Sequence, residues 1–240
     1  RMKFCTSGPS AAALKADILK RWRGGLTEYY GMTEGGGSCM LEANLHPDKL
    51  HTVGRPGPGV ELKILDEQGN ELPQGEVGEI AGRADMMMKG YYKQDSKTRE
   101  LFWYDTKGQL FFKSGDMGKL DEDGFLVLLD RKKDMIISGG FNVYAADIEV
   151  LLLTHPDVID AAVIGVPSDE WGESPLALCV PREGAPANAA SIRDWANRQL
   201  GKTQRLVAVE FRDSLPRSTI GKIMKRELRA PYWEGRTARI

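Results

Sequence analysis

Between residues 50 and 130, glycine and proline cut the chain into short runs of alternating apolar and polar residues, and no other feature limits its fold as strongly. The runs are Val60–Leu65, Gly78–Arg83, Gly90–Tyr92, Gln109–Lys113 and Gly124–Leu129. Asp66-Glu67-Gln68-Gly69-Asn70 and Asp121-Glu122-Asp123-Gly124 supply turn chemistry between them. Alternation with period two puts every second side chain on one face, so many such runs predict a small barrel or sandwich.

The flanks differ in kind. Residues 1–40 predict strand, turn, helix, strand and loop. Ser10 is placed to cap a helix over Ala11–Arg23, with Leu14, Ile18 and Trp22 four apart on one face. Gly24-Gly25 stops it, Leu26–Tyr30 is a short strand, and Gly31–Gly37 is a glycine-rich loop. Residues 134–240 mix both element types. Met135–Ile137 and Phe141–Val143 flank Ser138-Gly139-Gly140, a hairpin signal. Helices are expected over Ala145–Leu153, from a Ser191 cap to Leu200, and over the basic stretch Lys222–Arg229. Strands are expected at Val158–Val166, Pro175–Val180 and Leu206–Phe211, and a domain boundary at Arg131–Asp134. The pattern is α/β at the start and α+β after it.

Composition narrows the function. The 240 residues carry 33 basic and 34 acidic side chains, a net charge of -1, so no broad field favours nucleic acid or an anionic membrane. The three cysteines, Cys5, Cys39 and Cys179, are far apart and lack CxxC spacing, which argues against a disulfide framework or zinc site. They read as small buried residues in a reducing compartment, so a cytoplasmic location is expected. His46, His51 and His155 show no metal-ligand clustering. No apolar run approaches the roughly 18–20 residues of a membrane span. The opening Arg1-Met2-Lys3-Phe4-Cys5-Thr6-Ser7-Gly8 lacks the apolar stretch of a signal peptide and reads like a strand entered midway, the expectation for a piece of a longer protein.

Several short segments carry chemistry. Tyr30-Gly31-Met32-Thr33-Glu34 follows a strand and precedes Gly35-Gly36-Gly37. A hydroxyl and a carboxylate at a strand's carboxyl end suit a ligand site, because ligands of α/β folds bind there. Such a carboxylate can hold Mg²⁺ beside phosphate oxygens. A plain turn after an edge strand would read the same way. Lys113-Ser114-Gly115-Asp116 offers a carboxylate able to accept two hydrogen bonds, as a ribose diol requires. Asp130-Arg131-Lys132-Lys133-Asp134 adds a forked guanidinium, although charge runs of this kind are commonly solvated faces. Thr219-Ile220-Gly221-Lys222 has a Gly-Lys pair, but Ile223 follows it and no glycine lies five residues before Gly221, so it is no Walker A loop.

The order of these segments is more specific than any one of them. Ser7-Gly8-Pro9, Tyr30–Glu34, Gly78-Glu79 with Met88-Lys89-Gly90-Tyr91, Ser114-Gly115-Asp116, Asp130-Arg131 with Ser138-Gly139-Gly140, Asp147-Ile148-Glu149, and Gly221-Lys222 occur in sequence. The arrangement resembles the adenylate-forming superfamily of acyl-CoA synthetases, firefly luciferase and peptide-synthetase adenylation domains, over essentially the whole chain. Tyr30–Glu34 and Arg131–Val143 resemble the CoA ligases in particular.

That resemblance implies the C-terminal portion of a larger enzyme. Residues 1–130 would end a large AMP-binding domain, with 50–130 its β-barrel subdomain. Residues 134–240 would be a small mobile α+β domain, hinged over 131–134 at Lys133. The resemblance implies ATP, Mg²⁺ and CoA, with a fatty or aryl carboxylic acid as substrate. Ser7, Gly8 and Pro9 would lie by the nucleotide, Gly8 letting backbone approach the adenine. Tyr30 would stack on that ring, with Gly31 and Met32 beside it. Thr33 would contact the α-phosphate, Glu34 would hold Mg²⁺, and Asp116 and Arg131 would bind ribose. Ser138, Gly139, Gly140 and Phe141 would line a passage for pantetheine. Lys222 would be the mobile catalytic cation. The spacing of Pro216 and Gly221-Lys222 also matches lysines acetylated in bacterial relatives, so a protein acetyltransferase is an expected partner. Transfer to a carrier protein, or a non-catalytic nucleotide-binding remnant, are the alternatives. The superfamily's upstream phosphate loop is absent, so these residues alone are expected to be inactive. Gly35–Gly37 suggests a pocket wall free of bulk, and Met86–Met88 core or pocket packing.

Overall fold

The computed structural model describes residues 3–6, by their backbone, together with 11–219 and 221–235. Two compact units divide between Lys132 and Lys133.

The first unit begins with β1 (Lys3–Thr6), α1 (Ala12–Arg21) and β2 (Gly25–Gly31). β1 and β2 are parallel, so α1 is a crossover helix of a βαβ unit. β3 (Ser38–Glu42) and β4 (Arg55–Pro56) extend this sheet in the order β1-β2-β3-β4. The helix does not bury the expected stripe: Leu14 is 52% exposed and Trp22 is also exposed, while Ile18 and Leu19 pack against Leu26, Leu41, Ala43 and Phe125. Its most buried side chain is Lys15, 2% exposed, whose ammonium is paired with the Glu28 carboxylate of β2 and donates to the Thr52 carbonyl at 2.8 Å. Those two partners satisfy a cation that burial alone would penalise heavily. Ser10 lies outside the described residues; Ala11 precedes α1 and makes no side-chain cap.

The alternating runs form a second, antiparallel sheet from β5 (Glu61–Leu65), β6 (Gly78–Arg83), β7 (Phe102–Tyr104), β8 (Leu110–Leu120) and β9 (Leu126–Arg131). Its order is β5-β6-β8-β7, with β9 also on β8. Of the barrel or sandwich expected, the described strands form the layered alternative: a five-stranded sheet, its ladder not closed into a barrel, packed on the first sheet. Leu62, Ile64, Ile80 and Leu126 from it meet Cys39 and Val53 in one core, fulfilling the alternation. Gly90–Tyr92 is loop rather than strand, because the Tyr91 N–H is taken by the Thr98 hydroxyl at 2.9 Å and is lost to any ladder. Thr98 sits on a helix the sequence did not announce, α2 (Asp95–Leu101).

The second unit holds β10 (Ile136–Ser138), β11 (Phe141–Val143), α3 (Ala145–Leu152), β12 (Val158–Ser168), β13 (Gly172–Pro181), α4 (Ala189–Asn197), β14 (Ala208–Phe211) and α5 (Lys225–Arg229). β13 is central: it pairs with β12 along its length, with β10 at its start and with β14 in parallel. Ala161, Val163, Ala177 and Cys179 face α3 and α4, through Ile148, Leu152, Ile192 and Ala196. Ala162, Ile164, Leu176 and Leu178 face the other way, under Leu215, Ile223 and Leu228. Burial on both faces explains the near-continuous apolar runs of β12 and β13. The cap of α4 is Asn188, whose side chain accepts the Ser191 N–H, and not Ser191 itself.

Candidate nucleotide and acyl-transfer sites

β2, an inner strand, ends at Gly31 and delivers the Tyr30–Glu34 segment to its carboxyl end. Tyr30, a residue at the strand's end, donates its hydroxyl to Asp116 Oδ2 at 2.9 Å, joining two motifs 86 residues apart. Burial and then the Asp116 charge push the phenol well above its ordinary range, so it stays a neutral donor. Asp116 lies on β8 directly across from Arg131 on β9, with Arg131 Nε 3.7 Å from its Oδ1. The Ser114 hydroxyl accepts the Asp116 N–H at 3.0 Å, and Gly115 between them has φ +72°, a kink that turns the carboxylate out of the ladder. Lys132, next to Arg131, is anchored to Glu79 of β6 at 2.8 Å.

Glu34 is held from both sides. Tyr91 donates its hydroxyl to Oε1 at 2.7 Å and Thr33 donates to Oε2 at 2.9 Å. The Tyr91 hydrogen bond, helped by Thr33 and opposed by burial, holds this carboxyl below the usual range, so it is ionised at neutral pH. Each oxygen keeps acceptor capacity beyond its one bond. Among the described residues no cluster of three or more His, Cys, Asp or Glu could hold a metal unaided. One ionised carboxylate with a neighbouring hydroxyl does fit Mg²⁺, which keeps waters and takes its remaining ligands from substrate phosphates.

The glycines after Glu34 do not line an open pocket. A Cβ on Gly35 would lie 2.4 Å from the Met86 carbonyl oxygen, and one on Gly36 2.9 Å from that of Gly82. A Cβ on Gly82 would lie 2.5 Å from Gly37 Cα. Backbone is stacked on backbone here, so these glycines are needed for packing. Met86, expected in core or pocket, is 90% exposed. Ser7, Gly8 and Pro9 lie outside the described residues.

The second unit presents the other candidates. β10 and β11 meet at Gly139 and Gly140, with φ +59° and +81°, a two-residue turn only glycine takes without strain. Trp171 closes over Gly139: a Cβ there would be 2.5 Å from Trp171 Cε3, and the Gly139 N–H donates to the Trp171 carbonyl at 2.8 Å. Open space surrounds Gly140, and Phe141 is 62% exposed, while Ser138 is buried. The Ile137 N–H donates to Glu173 Oε2 at 3.3 Å, and burial raises that carboxyl. Lys133 is exposed and its carbonyl accepts from Arg229 Nη1 at 3.3 Å.

Lys222 does not begin a helix. It sits on an exposed tight turn closed by the Arg217–Ile223 bridge, and α5 starts three residues later at Lys225. The Ser218 N–H donates to the Lys222 carbonyl at 2.8 Å, the Lys222 N–H to Ser218 Oγ at 3.2 Å, and Arg217 to the Gly221 carbonyl at 2.8 Å. The turn holds backbone and leaves the side chain outward. Sequence reasoning missed Tyr91 as the partner of Glu34 and Trp171 as the support of Gly139. Tyr91 does stand in one of the ordered segments, which was the available signal; Trp171 gave none.

Comparison with known proteins follows the same division. The family described as AMP-binding enzyme matches residues 1–92, and that described as AMP-binding enzyme C-terminal domain matches 147–222. The chain is 40% identical over 204 residues to a 2-succinylbenzoate--CoA ligase of Geobacillus kaustophilus, covering 83% of this chain and 40% of the relative. It is 37% identical over 211 residues to a long-chain-fatty-acid--CoA ligase of Escherichia coli O6:H1, covering 85% of this chain and 35% of the relative. The structure of the amide bond synthetase McbA from Marinactinospora thermotolerans matches with TM-score 0.82 at 35% identity, over 97% of this chain and 46% of that one. The chain thus spans less than half the length of each.

Proposed function

From the premise that this chain belongs to the adenylate-forming superfamily of AMP-binding enzymes, we propose that the complete enzyme carrying it is an acyl-CoA synthetase. It would join a fatty or aryl carboxylic acid to AMP, release pyrophosphate, and pass the acyl group to the thiol of CoA. The observation that supports this reading is the junction of Tyr30 with Asp116, which draws two distant motifs together, the first of them also carrying the ionised Glu34.

In this reading Tyr30 offers a ring face to adenine while its hydroxyl orients Asp116 toward the ribose diol. Gly31 and Met32 pass beneath the nucleotide. Arg131 adds donors to the ribose, and Thr33 lies in contact with the α-phosphate. Glu34 would hold Mg²⁺, which when bound offsets phosphate charge. Carboxylate and triphosphate repel one another, and attack on the α-phosphorus adds charge to its oxygens. A cation fixed between them lowers that barrier by electrostatic preorganisation, worth about 3–4 kcal/mol for a single well-placed donor. Lys222, outward on its turn, is that cation. Lys133 is the hinge that lets the second unit present Lys222 in one pose and the Ser138–Phe141 hairpin in the other, a domain-closure mechanism. Open space at Gly140 beside exposed Phe141 suits a narrow pantetheine arm.

The acid is proposed as a class, fatty or aryl, and Gly35–Gly37 are packed against other segments of the chain. The acceptor has two rivals. McbA, an amide bond synthetase by name, is structurally similar, which makes an amine the first; a carrier-protein thiol in place of CoA is the second. Among the described residues no helix is long and apolar enough to cross a membrane. We place the enzyme in the cytoplasm, where ATP and CoA are available. Lys222, exposed on its turn, also suits a protein acetyltransferase, and acetylation would remove the required charge.

Acid-dependent ATP–pyrophosphate exchange over a panel of fatty and aryl acids tests the first half, and thioester formation with CoA alone tests the acceptor. Exchange with no acid would sink the reading; exchange without thioester would favour one of the rival acceptors.

A further inference from the structure

Glu34 is steadied by a bracket that lies outside its own motif. The Met88 N–H donates to the Glu34 carbonyl at 2.9 Å, and three residues later the Tyr91 hydroxyl donates to Glu34 Oε1 at 2.7 Å. Backbone and side chain of one residue are therefore both tied to a single loop. That loop is itself pinned: Thr98 of α2, a buried residue, accepts the Tyr91 N–H at 2.9 Å and donates its own hydroxyl to the Gln94 carbonyl at 3.0 Å. Gly90, at φ +150°, permits the close approach, since a Cβ there would lie 2.8 Å from Thr98 Cγ2. A Glu side chain has three rotatable bonds, and one hydroxyl donor from the adjacent Thr33 leaves most of that freedom. A second donor, on the other oxygen and from a helix-pinned loop, fixes the carboxylate plane.

We propose that Tyr91 is a positioning residue that orients the Glu34 carboxylate for a divalent cation, with Thr98 and α2 as its support. The inference rests on the reading of Glu34 as the magnesium carboxylate. It assigns a purpose to the Met88–Tyr91 segment and to a helix whose sequence predicts neither. A hydroxyl that orients a metal-bound carboxylate commonly changes metal affinity about 10–100-fold when removed.

The test uses the complete enzyme with a non-hydrolysable ATP analogue and Mn²⁺, bound metal being read by electron paramagnetic resonance. Tyr91→Phe keeps the ring and removes only the hydroxyl. We expect its Mn²⁺ dissociation constant to rise about tenfold or more, and the Mg²⁺ concentration for half-maximal adenylation to rise in parallel. The reaction of premade acyl-adenylate with CoA should stay at the wild-type rate. Glu34→Gln separates the two ideas. If Glu34→Gln weakens Mn²⁺ binding and Tyr91→Phe does not, the positioning inference is overturned and the magnesium reading stands. If Glu34→Gln leaves Mn²⁺ binding unchanged, the magnesium reading fails and the inference with it. Should Tyr91→Phe not fold, Thr98→Val removes the acceptor for the Tyr91 N–H, and an unchanged Mn²⁺ affinity in that variant overturns the proposal.

Discussion

Gly82→Ala places a single methyl between the glycine loop and β6, and its effect can be worked from the packing. The new Cβ would meet Gly37 Cα at 2.5 Å, Gly37 N at 2.7 Å and the Gly36 carbonyl carbon at 2.8 Å. All three are backbone atoms, so no rotamer change relieves the contact. Comfortable separation from carbon is about 3.5–4.0 Å, so the loop after Glu34 must move by about 1 Å. Overpacking of this kind costs roughly 1–3 kcal/mol, or about 2–12 °C in Tm for a chain of this size at ~2–4 °C per kcal/mol. The functional cost should exceed the stability cost, because a displacement of about 1 Å in a positioning element can cost ~100-fold in rate. The assay is ATP–pyrophosphate exchange alongside thermal unfolding of the complete enzyme. Gly57→Ala is the control: the nearest atom to its Cβ is Val60 Cγ2 at 4.0 Å. Gly57→Ala should keep exchange within about twofold, its change being a surface substitution worth ~0.5 kcal/mol or less. Equal exchange rates for the two variants would refute the claim that Gly82 is the floor beneath the Glu34 loop.

Further outcomes follow from the same structure. Burial pushes the Cys39 and Cys179 thiols up to about 12. An unfolded thiol titrates near ~8.5, so both contribute stability that is complete below that pH and is lost as pH rises toward about 12, by up to ~1.4 kcal/mol per pH unit for each thiol. Tm measured from pH 7.5 to 10 should therefore fall more steeply for the wild type than for Cys39→Ala/Cys179→Ala; parallel curves would contradict this. Gly139→Ala adds left-handed strain at φ +59° and a Cβ 2.5 Å from Trp171 Cε3. Moving the hairpin off Trp171 should slow thioester formation from premade adenylate by about 10–100-fold while adenylation changes little, a split read by single-turnover kinetics.

What the sequence made legible was whatever depends on neighbours in the chain. The two-residue turn at Gly139-Gly140 follows from glycine and the flanking apolar runs, and the boundaries of β6 match the alternating run that announced them. Tyr30, Thr33, Glu34, Asp116 and Arg131 were nominated from sequence because each stands in a short motif of polar residues or glycine. What was hidden depends on contacts far along the chain. Lys15 breaks the apolar stripe of α1, yet Glu28 and Thr52 make it the helix's most buried residue and leave Leu14 outside. The Gly35–Gly37 loop looked like an open wall because the backbone of Gly82 and Met86 that fills it is contributed by distant segments. Tyr91 is separated from Glu34 by 57 residues, and no local period connects them. Lys222 seemed to open a basic helix, but Arg217 and Ser218 reach forward to close a turn around it and delay the helix to Lys225.

The central claim is that one lysine, carried on a turn of the second unit, serves the adenylation step and not the transfer step. Lys222→Ala in the complete enzyme, with the two half-reactions measured separately, tests it most directly. Pyrophosphate exchange should fall about 100-fold or more, the loss expected for one electrostatic stabiliser, while premade acyl-adenylate and CoA react at a rate close to that of wild type. Equal losses in both half-reactions, or none in the first, would contradict it.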